Sequence, residues 1–209
     1  MRVRITFAKT EAMRFTGHLD LYRTWERTMR RAGLPLAYTH GFKPHPRIVL
    51  ASALPLGCTS QYELVDIWLE EPRRLDEIEA SLSRSAPPGL QVLSVCEADL
   101  HEPALPMQIV ASEFHIAFFS SLPELDERVE GLMQAESLPR TRRDKPYDLR
   151  PLILGIQHLP NDANGCQKIA VTLTARENAT GRPEEVIRAM GGEPEQALIH
   201  RTKLIFREN

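Results

Sequence analysis

The stretch over residues 33–57 places the strongest local constraint on how this chain folds. It contains four prolines, together with two histidines, a lysine, an arginine and two aromatic residues. Because proline fixes φ and disfavours the helical conformation for the residue before it, Lys43-Pro44-His45-Pro46 must run extended. A rigid segment of this composition suits a preformed binding surface, since little conformational entropy is lost on binding. It equally suits a structural crossover.

An amphipathic helix is predicted directly before this stretch, over residues 18–32. Gly33 is a favourable residue just past a helix end, and Pro35 lies beyond it. At about 100° per residue, we assign an apolar arc to Leu19, Leu21, Tyr22, Trp25, Met29 and Ala32. The opposite arc carries Arg23, Arg27, Arg30 and Arg31. Since the arginine fork suits bidentate phosphate contact, this stripe is either a solvated face or an anion-binding face.

Apolar periodicity predicts the same element order twice along the chain. The first half reads as strand 2–8, helix 18–32, strands 48–54 and 62–69, helix 75–85 and strand 90–95. After a Pro-rich connector, the second half reads as strand 108–119, helix 122–135, strands 149–159 and 169–175, helix 183–190 and strand 199–206. Each half therefore has the β-α-β-β-α-β order of a ferredoxin-like α+β sandwich. We predict two such domains in tandem, over residues 1–100 and 107–209.

Charge is distributed unevenly, although the net charge is only −2. Residues 1–50 carry ten Lys and Arg against three Asp and Glu, whereas residues 51–136 carry four against sixteen. Asymmetry of this size indicates one face for an anion and another that is solvated or meets a different partner. A predicted loop over residues 138–150 adds Arg140, Arg142, Arg143 and Lys145. It is either a flexible charged loop or a second anion-contacting patch that becomes ordered on binding.

Several classes of chemistry are disfavoured because their motifs are missing from the sequence. Cys58, Cys96 and Cys166 lie far apart with no C-x-x-C, which argues for reduced thiols and against an iron–sulfur cluster in this chain. Neither a G-x-S-x-G elbow nor a glycine-rich phosphate loop occurs. No run reaches the roughly 18 apolar residues of a membrane span, and no secretory signal is recognisable. We therefore expect a cytoplasmic protein that uses no cofactor or metal of its own and binds no membrane.

Two histidines, His18 and His40, are the candidates for acid–base catalysis. They lie in or beside the basic region, and imidazole titrates near neutrality, as proton transfer requires. Tandem ferredoxin-like domains with basic grooves resemble the Cas6-type RNA-processing endonucleases, which cleave RNA without a metal. That analogy concerns the fold alone. A metal site built from His18, His40 and His45 is a further alternative, but structural or anion-contacting histidines are favoured.

Several motifs, in order along the chain, resemble those of a known family. They are Arg14-Phe15-Thr16-Gly17-His18-Leu19-Asp20-Leu21, Arg30-Arg31-Ala32-Gly33-Leu34-Pro35, Gly41-Phe42-Lys43-Pro44-His45-Pro46, Ala53-Leu54-Pro55-Leu56-Gly57, Gly181-Arg182-Pro183-Glu184-Glu185-Val186 and Ile199-His200-Arg201-Thr202. Together they resemble the bacterial radical-SAM-linked proteins, a domain family of unknown function. The resemblance implies a partner, since members look like companions of a radical SAM protein, fused to it or encoded beside it. Gly17 and Lys43 depart from the pattern, where Ser and Asn are expected.

These observations favour a non-catalytic accessory module that binds RNA, such as tRNA or rRNA, or another polyanion for a partner radical SAM enzyme. The alternatives are a metal-independent Cas6-like endoribonuclease acting through His18 or His40, and a protein-docking scaffold for the radical SAM partner. The residues expected to contact the anion are Arg14, His18, Arg23, Arg27, Arg30, Arg31, His40, Phe42, Lys43, His45, Arg47, Arg140, Arg142, Arg143 and Lys145. Phe42 belongs to the set because an aromatic ring can stack on an unpaired base. The acidic residues 51–136 are the candidate face for the partner protein.

Overall fold

Strands and helices alternate along the chain, which is therefore of mixed α/β class, as the apolar patterns predict. The computed structural model describes residues 1–161, 165–176 and 178–207. The chain divides into two units, Met1–Ile109 and Val110–Asn209. Within the described ranges, no helix is long and apolar enough to cross a membrane.

The first unit follows the predicted order of strands and helices. Its elements are β1 (Arg2–Lys9), α1 (His18–Arg31), β2 (Ile48–Leu50), β3 (Cys58–Trp68), α2 (Leu75–Ser85), β4 (Leu90–Ala98) and α3 (Leu105–Gln108). The strands are antiparallel and lie in the order β2-β3-β1-β4. Strand β2 is shorter than predicted and ends at Leu50, and Pro55 and Gly57, which has a φ of +84°, lie in the turn before β3.

One face of this sheet packs against helices α1 and α2. Val3, Ile5 and Phe7 of β1 are fully buried in a cluster with apolar residues of both helices. The rings of Phe7 and Trp25 meet edge to face, with centroids 4.9 Å apart. Burial of each large apolar side chain stabilises the fold by about 1.5–3 kcal/mol. This cluster therefore holds α1 to the sheet.

Leu19 does not belong to the buried arc of α1, where the sequence prediction placed it. Its side chain is 71% exposed, whereas Leu21, Trp25 and Met29 are buried. The reason is geometric, because two residues of an α-helix span about 200°. Leu19 therefore lies on the opposite side from Leu21, next to the arginines.

The other face of the sheet carries a buried charged cluster. The Asp66 carboxylate is fully buried and accepts hydrogen bonds from Arg2 Nη2 at 2.6 Å and from Arg4 Nε at 2.9 Å. Arg2 also donates to the backbone carbonyls of Asp99, Glu102 and Pro103 at 2.9–3.1 Å. Every N–H group of the Arg2 guanidinium thus has an acceptor. Alternation predicts a single buried face for β1, but this pairing lets Arg2 be buried as well.

The second unit contains a sheet, two helices and a separate hairpin. Its elements are β5 (Ile109–Phe118), α4 (Leu125–Gln134), β6 (Pro139–Arg142), β7 (Lys145–Asp148), β8 (Ile153–Leu159), β9 (Lys168–Arg176), β10 (Ala179–Thr180), α5 (Pro183–Ala189) and β11 (Ala197–Phe206). Strand β9 pairs with β8 and β10 on one side and with β5 on the other, and β11 follows β5. Ile169, Val171 and Leu173 of β9 and Val186 and Ile187 of α5 are fully buried. This apolar set forms the core of the unit.

The Asp66→Asn substitution tests the buried charged cluster. It leaves two guanidinium groups next to a neutral amide, and loss of one partner from a buried ion pair costs about 3–5 kcal/mol. We expect the free energy of unfolding, measured by urea denaturation, to fall by that amount. The matched control is Asp76→Asn, which makes the same change in the exposed pair with Arg74 and should leave the urea midpoint nearly unchanged. Equal effects of the two variants would contradict this role of Asp66.

Candidate functional site

Helix α1 presents an arginine face to solvent. We use this name for Arg23, Arg27, Arg30 and Arg31, all of which are exposed. Arg23 lies 3.4 Å from the Asp20 carboxylate, and Arg30 lies 2.8 Å from that of Glu26. Exposed pairs of this kind contribute at most about 1 kcal/mol, so a polyanion competes with them readily.

The other two arginines of this face donate to backbone carbonyls. Arg27 Nε is 3.3 Å from the carbonyl oxygen of Arg23, and Arg31 Nη2 is 2.7 Å from that of Ser85. A guanidinium group has more N–H donors than these contacts use. The remaining donors of Arg27 and Arg31 can therefore contact an anion without breaking the observed hydrogen bonds.

Residues 37–47 double back on themselves and form what we call the basic arm. The backbone N–H of Thr39 donates to the carbonyl of His45 at 2.9 Å, and that of Arg47 donates to the carbonyl of Ala37 at 2.8 Å. Between these contacts, residues 40–44 are all exposed. The arm thus has a paired base and an exposed tip that contains His40, Phe42 and Lys43.

The base of the arm is fastened to helix α1 by a side-chain hydrogen bond. The Tyr22 hydroxyl donates to the carbonyl oxygen of Pro46 at 3.1 Å. Burial raises the pKa of the Tyr22 hydroxyl above its ordinary value, and the nearby Glu26 carboxylate adds to the effect. The hydroxyl therefore keeps its proton at neutral pH and remains a donor. Pro46 therefore lies against α1.

Arg47 lies on a different face from the arginines of α1. Its neighbour Ile48 packs in the core under the helices, and successive side chains of a strand point to opposite faces. The Arg47 guanidinium accordingly lies 4.5 Å from the ring centroid of Trp68. The Arg2 guanidinium lies 5.2 Å from the same centroid. Arg47 anchors the arm to the sheet through a cation–π contact.

Phe42 is the most exposed large apolar residue among those the structure describes, with its side chain fully accessible to solvent. Burial of a phenylalanine is worth about 1.5–3 kcal/mol, and this residue gains none of it within the chain. His45, near the end of the tip, is held by Thr39, whose hydroxyl lies 3.2 Å from the imidazole Nδ1. The tip therefore presents an aromatic ring, with the Lys43 ammonium group next to it in the chain, on a braced loop.

Arg14 has a structural role that sequence reasoning missed. Its Nε donates to the carbonyl of Gly57 at 2.8 Å, and the Gly57 N–H donates back to the carbonyl of Arg14 at 3.1 Å. The fully buried Lys9 also donates to the carbonyls of Arg14 and Cys58, both at 3.1 Å. No sequence pattern signals these contacts, because they depend on which loops the fold brings together. His18, the first residue of α1, follows this segment and is exposed.

The prediction of an irregular loop over residues 138–150 is wrong for most of that segment. Strands β6 and β7 pair in a hairpin with Arg143 and Asp144 at its turn, where φ is +48° and +61°. Two positive φ values are typical of a type I′ turn, but the usual Asn-Gly or Asp-Gly signal is missing here. Arg140, Arg142, Arg143 and Lys145 therefore lie on a defined hairpin of the second unit.

The Asp148 carboxylate closes the base of this hairpin. It accepts hydrogen bonds from the backbone N–H groups of Leu138 at 2.7 Å and Arg150 at 2.9 Å. These two bonds hold the pKa of Asp148 below its ordinary value. The Leu149 N–H adds a backbone bond to the carbonyl of Leu138 at 2.9 Å. The Asp148 carboxylate thus adds two contacts at the base of a hairpin whose strands are already paired.

Metal binding by the three basic-region histidines has no support from the geometry. In the part of the chain that the structure describes, no three His, Cys, Asp or Glu side chains are grouped as metal ligands. His18 begins α1, whereas His40 and His45 belong to the arm. In the described part of the chain, Cys58, Cys96 and Cys166 form no disulfide bond.

A family model described as an uncharacterized protein conserved in bacteria (DUF2344) matches residues 2–183. The match covers most of the chain, including the arginine face, the arm and the hairpin. The chain therefore belongs to this bacterial family of unknown function, as its motifs predict at that level. Among curated proteins, none matches this sequence.

The chain also matches parts of solved structures. One chain of a Cbf5-Nop10-Gar1 complex is 10% identical, with 99% of this chain and 50% of that chain covered at a TM-score of 0.50. An archaeal box H/ACA sRNP Nop10-Cbf5 complex contains a chain that is 11% identical, with 99% and 49% covered at a TM-score of 0.44. At 10% identity the first likeness concerns the fold alone. The chain spans about half the length of these structural matches.

The Tyr22→Phe substitution tests the contact between α1 and the arm. It removes a hydrogen bond worth about 0.5–1.5 kcal/mol, so we expect the amides of Thr39 and Arg47 to exchange with solvent about 2- to 10-fold faster. Hydrogen exchange followed by NMR measures this directly. The matched control, Tyr62→Phe, removes a hydroxyl from strand β3 and should leave both amides unchanged. Unaltered exchange in Tyr22→Phe would show that the arm is held without this contact.

Proposed function

We propose that this protein is a non-catalytic accessory module that binds RNA through its first unit and serves a partner radical SAM enzyme. The observation that carries the proposal is the exposed arginine face of α1, linked to the basic arm through Tyr22 and Pro46. Both surfaces belong to residues 1–50, which hold ten Lys and Arg against three Asp and Glu. A concentration of cationic groups on a braced surface suits a polyanionic ligand.

Phosphate is the anion that best matches this surface. The exposed residues of α1 that carry positive charge are all arginines, and the planar guanidinium binds phosphate oxygens in a bidentate manner. Two of these arginines use backbone carbonyls as partners, which leaves further donors for a ligand. Binding of a nucleic acid to such a surface releases counterions and weakens steeply with salt.

RNA with unpaired nucleotides suits the tip of the arm. Phe42 is fully exposed, with His40 and Lys43 beside it. Sequence-tolerant proteins that bind single strands combine a cationic track with aromatic rings on which bases stack. Loops of tRNA or rRNA present such splayed bases, whereas a continuous duplex hides them.

We also infer that each unit is a ferredoxin-like sandwich, with domains over residues 1–100 and 107–209. The support is the antiparallel order β2-β3-β1-β4 in the first unit and the order β8-β9-β5-β11 in the second. In both, two helices alternate with the strands as β-α-β-β-α-β when the small strands β6, β7 and β10 are set aside. The hairpin of the second unit then adds Arg140, Arg142, Arg143 and Lys145 as a further site for phosphate.

A radical SAM enzyme as partner follows from the resemblance of the sequence motifs. This chain has three dispersed cysteines and no C-x-x-C spacing, so the cluster for radical chemistry would belong to the partner. The acidic residues 51–136 offer exposed carboxylates to that partner in each unit separately. They are Asp76 and Glu77 on α2 of the first unit, and Asp126, Glu127 and Glu130 on α4 of the second. We place this assembly in the cytoplasm, where thiols remain reduced.

RNA binding is tested with total tRNA in a filter-binding assay across a salt series. We expect the affinity of the wild-type protein to fall steeply between about 50 and 300 mM KCl, on the order of 10- to 1,000-fold for a few bound phosphates. The triple variant Arg23→Ala, Arg27→Ala, Arg30→Ala should bind more weakly. Its log–log salt slope should be smaller by about one for each phosphate that the variant no longer binds.

The matched control is the triple variant Arg73→Ala, Arg74→Ala, Arg84→Ala. It removes the same charge from exposed arginines at and before α2 in the same unit. We expect its salt slope to stay close to that of the wild type. Two results would contradict the arginine face as the RNA-binding surface. One is wild-type affinity that does not change with salt, and the other is an equal loss of affinity in the two triple variants.

The partner is tested by co-purification of the protein with a radical SAM protein encoded beside it. We expect the pair to remain together after nuclease treatment, because the acidic surface rather than RNA would join them. Reversal of charge on α2 by Asp76→Lys and Glu77→Lys should weaken the pair. Persistence of the pair in that variant but its dissociation in the arginine-face variant would favour the protein-docking scaffold instead.

Incubation of labelled tRNA with the protein distinguishes an endoribonuclease from the non-catalytic RNA-binding module. We expect intact RNA in the wild type and in the His18→Ala and His40→Ala variants. Specific cleavage that disappears in either variant would assign general acid–base chemistry to that imidazole. It would also replace the non-catalytic role proposed here.

A further inference from the structure

A groove lies between helix α1 and the turn that follows α2. Its volume is about 550 Å³, which is the size of a small-molecule site. Its lining residues come from three segments of the first unit and are Met13, Thr24, Arg27, Arg30, Arg31, Pro87 and Pro88. Three of them are arginines of the face described above, and three are apolar. The groove therefore joins a cationic side to an apolar side.

The apolar side of the groove is rigid. The Leu90 N–H donates to the carbonyl of Pro87 at 3.1 Å, and Gly89 has a φ of +91°, which together indicate a type II turn with Pro88 and Gly89 at its centre. A Cβ at position 89 would lie 2.5 Å from Cγ of Met13. Gly89 thus permits the turn to press directly on Met13.

The two sides of the groove are also tied to each other. Arg31 Nη2 donates to the carbonyl of Ser85 at 2.7 Å, which joins the end of α1 to the end of α2. The Thr10 N–H donates to the carbonyl of Gly89 at 2.9 Å. Because contacts within the chain fix both sides of the groove, binding loses little conformational entropy.

We infer that this groove holds one unpaired nucleotide of the bound RNA, with its phosphate at the arginines and its base against Met13 and the two prolines. The inference rests on the RNA-binding role proposed above and adds a subsite to it. Arg30 is paired with Glu26 at 2.8 Å, so Arg27 and Arg31 are the principal phosphate ligands. The Met13 thioether and the proline rings supply the apolar contact for the base.

A nucleotide uses both sides of the groove, and competing ligands use one. An acidic peptide segment would match the arginines but leave the apolar side unused. A base within a continuous duplex has both faces stacked, so it cannot lie against Met13. An unpaired nucleotide combines a phosphate with a flat ring, so it contacts both the arginines and the apolar residues of the groove.

The inference is tested by NMR on the full chain with ¹³C-methyl methionine, which has six signals. The Met13 signal is assigned with Met13→Leu, and the probes are AMP, ribose 5-phosphate, inorganic phosphate and hexaglutamate. We expect AMP to shift the Met13 methyl upfield, because an aromatic base above it produces a ring current. Ribose 5-phosphate and phosphate lack that ring and should leave it nearly unmoved. Met107, which is 64% exposed and lies outside the groove, is the internal control.

Substitution at the groove gives a second readout. Pro88→Asp places a negative charge beside the arginines, and Ser83→Asp places the same charge on the exposed face of α2. We expect Pro88→Asp to abolish the AMP-induced shift and to weaken binding of a single-stranded oligoribonucleotide about 10-fold. Ser83→Asp should preserve the shift and have the smaller effect on binding.

Two results would overturn the inference. The first is a Met13 signal that AMP leaves unmoved or that ribose 5-phosphate shifts equally. The second is a shift with hexaglutamate but none with AMP, which would assign the groove to an acidic protein segment. Salt-dependent tRNA binding by the arginine face is measured separately. If tRNA binding persists but AMP does not shift the Met13 signal, the groove inference fails and the proposed function stands.

Discussion

The buried contact of Asp66 with Arg2 and Arg4 is the interaction on which the first unit depends. A buried charge is tolerated only when it is paired and hydrogen-bonded, and here the Asp66 carboxylate and every N–H group of Arg2 have partners. The same contact fixes the register of β1 against β3, in which Arg2 lies opposite Trp68 and Arg4 lies opposite Asp66. It also holds the carbonyls of residues 99–103 over this face of the sheet. One charged cluster thus determines both strand pairing and the path of a connector.

The candidate RNA-binding surface is connected to that cluster through Trp68. The Trp68 ring makes cation–π contacts with Arg2 of the cluster and with Arg47 of the arm. The arm is held to α1 by the hydrogen bond from Tyr22 to Pro46. The exposed side chains of the arm and of α1 therefore project from backbone that is fixed by buried contacts. Such preorganisation lowers the entropy lost on binding, which favours a recognition surface over a loop that serves only as a crossover.

Much of this architecture follows from apolar periodicity, and the exceptions have identifiable causes. The alternation of β1 and the helical spacing of Leu21, Trp25 and Met29 predict their burial correctly, because these positions face one shared core. The sequence prediction wrongly placed Leu19 on the apolar face of α1. Helical geometry places it about 200° around the axis from Leu21, on the exposed side. The hairpin of β6 and β7 escapes prediction because its turn is Arg-Asp and prolines lie in both strands. Asp148 closes its base, with partners before and after the hairpin in the chain.

The sequence by itself determines the mixed α/β class, the order of the main strands and helices in the first unit, the family and the arginine face, since each depends on local pattern or composition. Tertiary structure decides which of those cations share a surface. Arg47 lies over Trp68 on the far face of the sheet, Arg14 is engaged with Gly57, and Arg27 and Arg31 border a groove with Met13 and Pro88. These placements arise from contacts between residues distant in the chain, and no periodicity encodes them. The number of charged residues can therefore be counted from the sequence. Their arrangement on the surface depends on the fold.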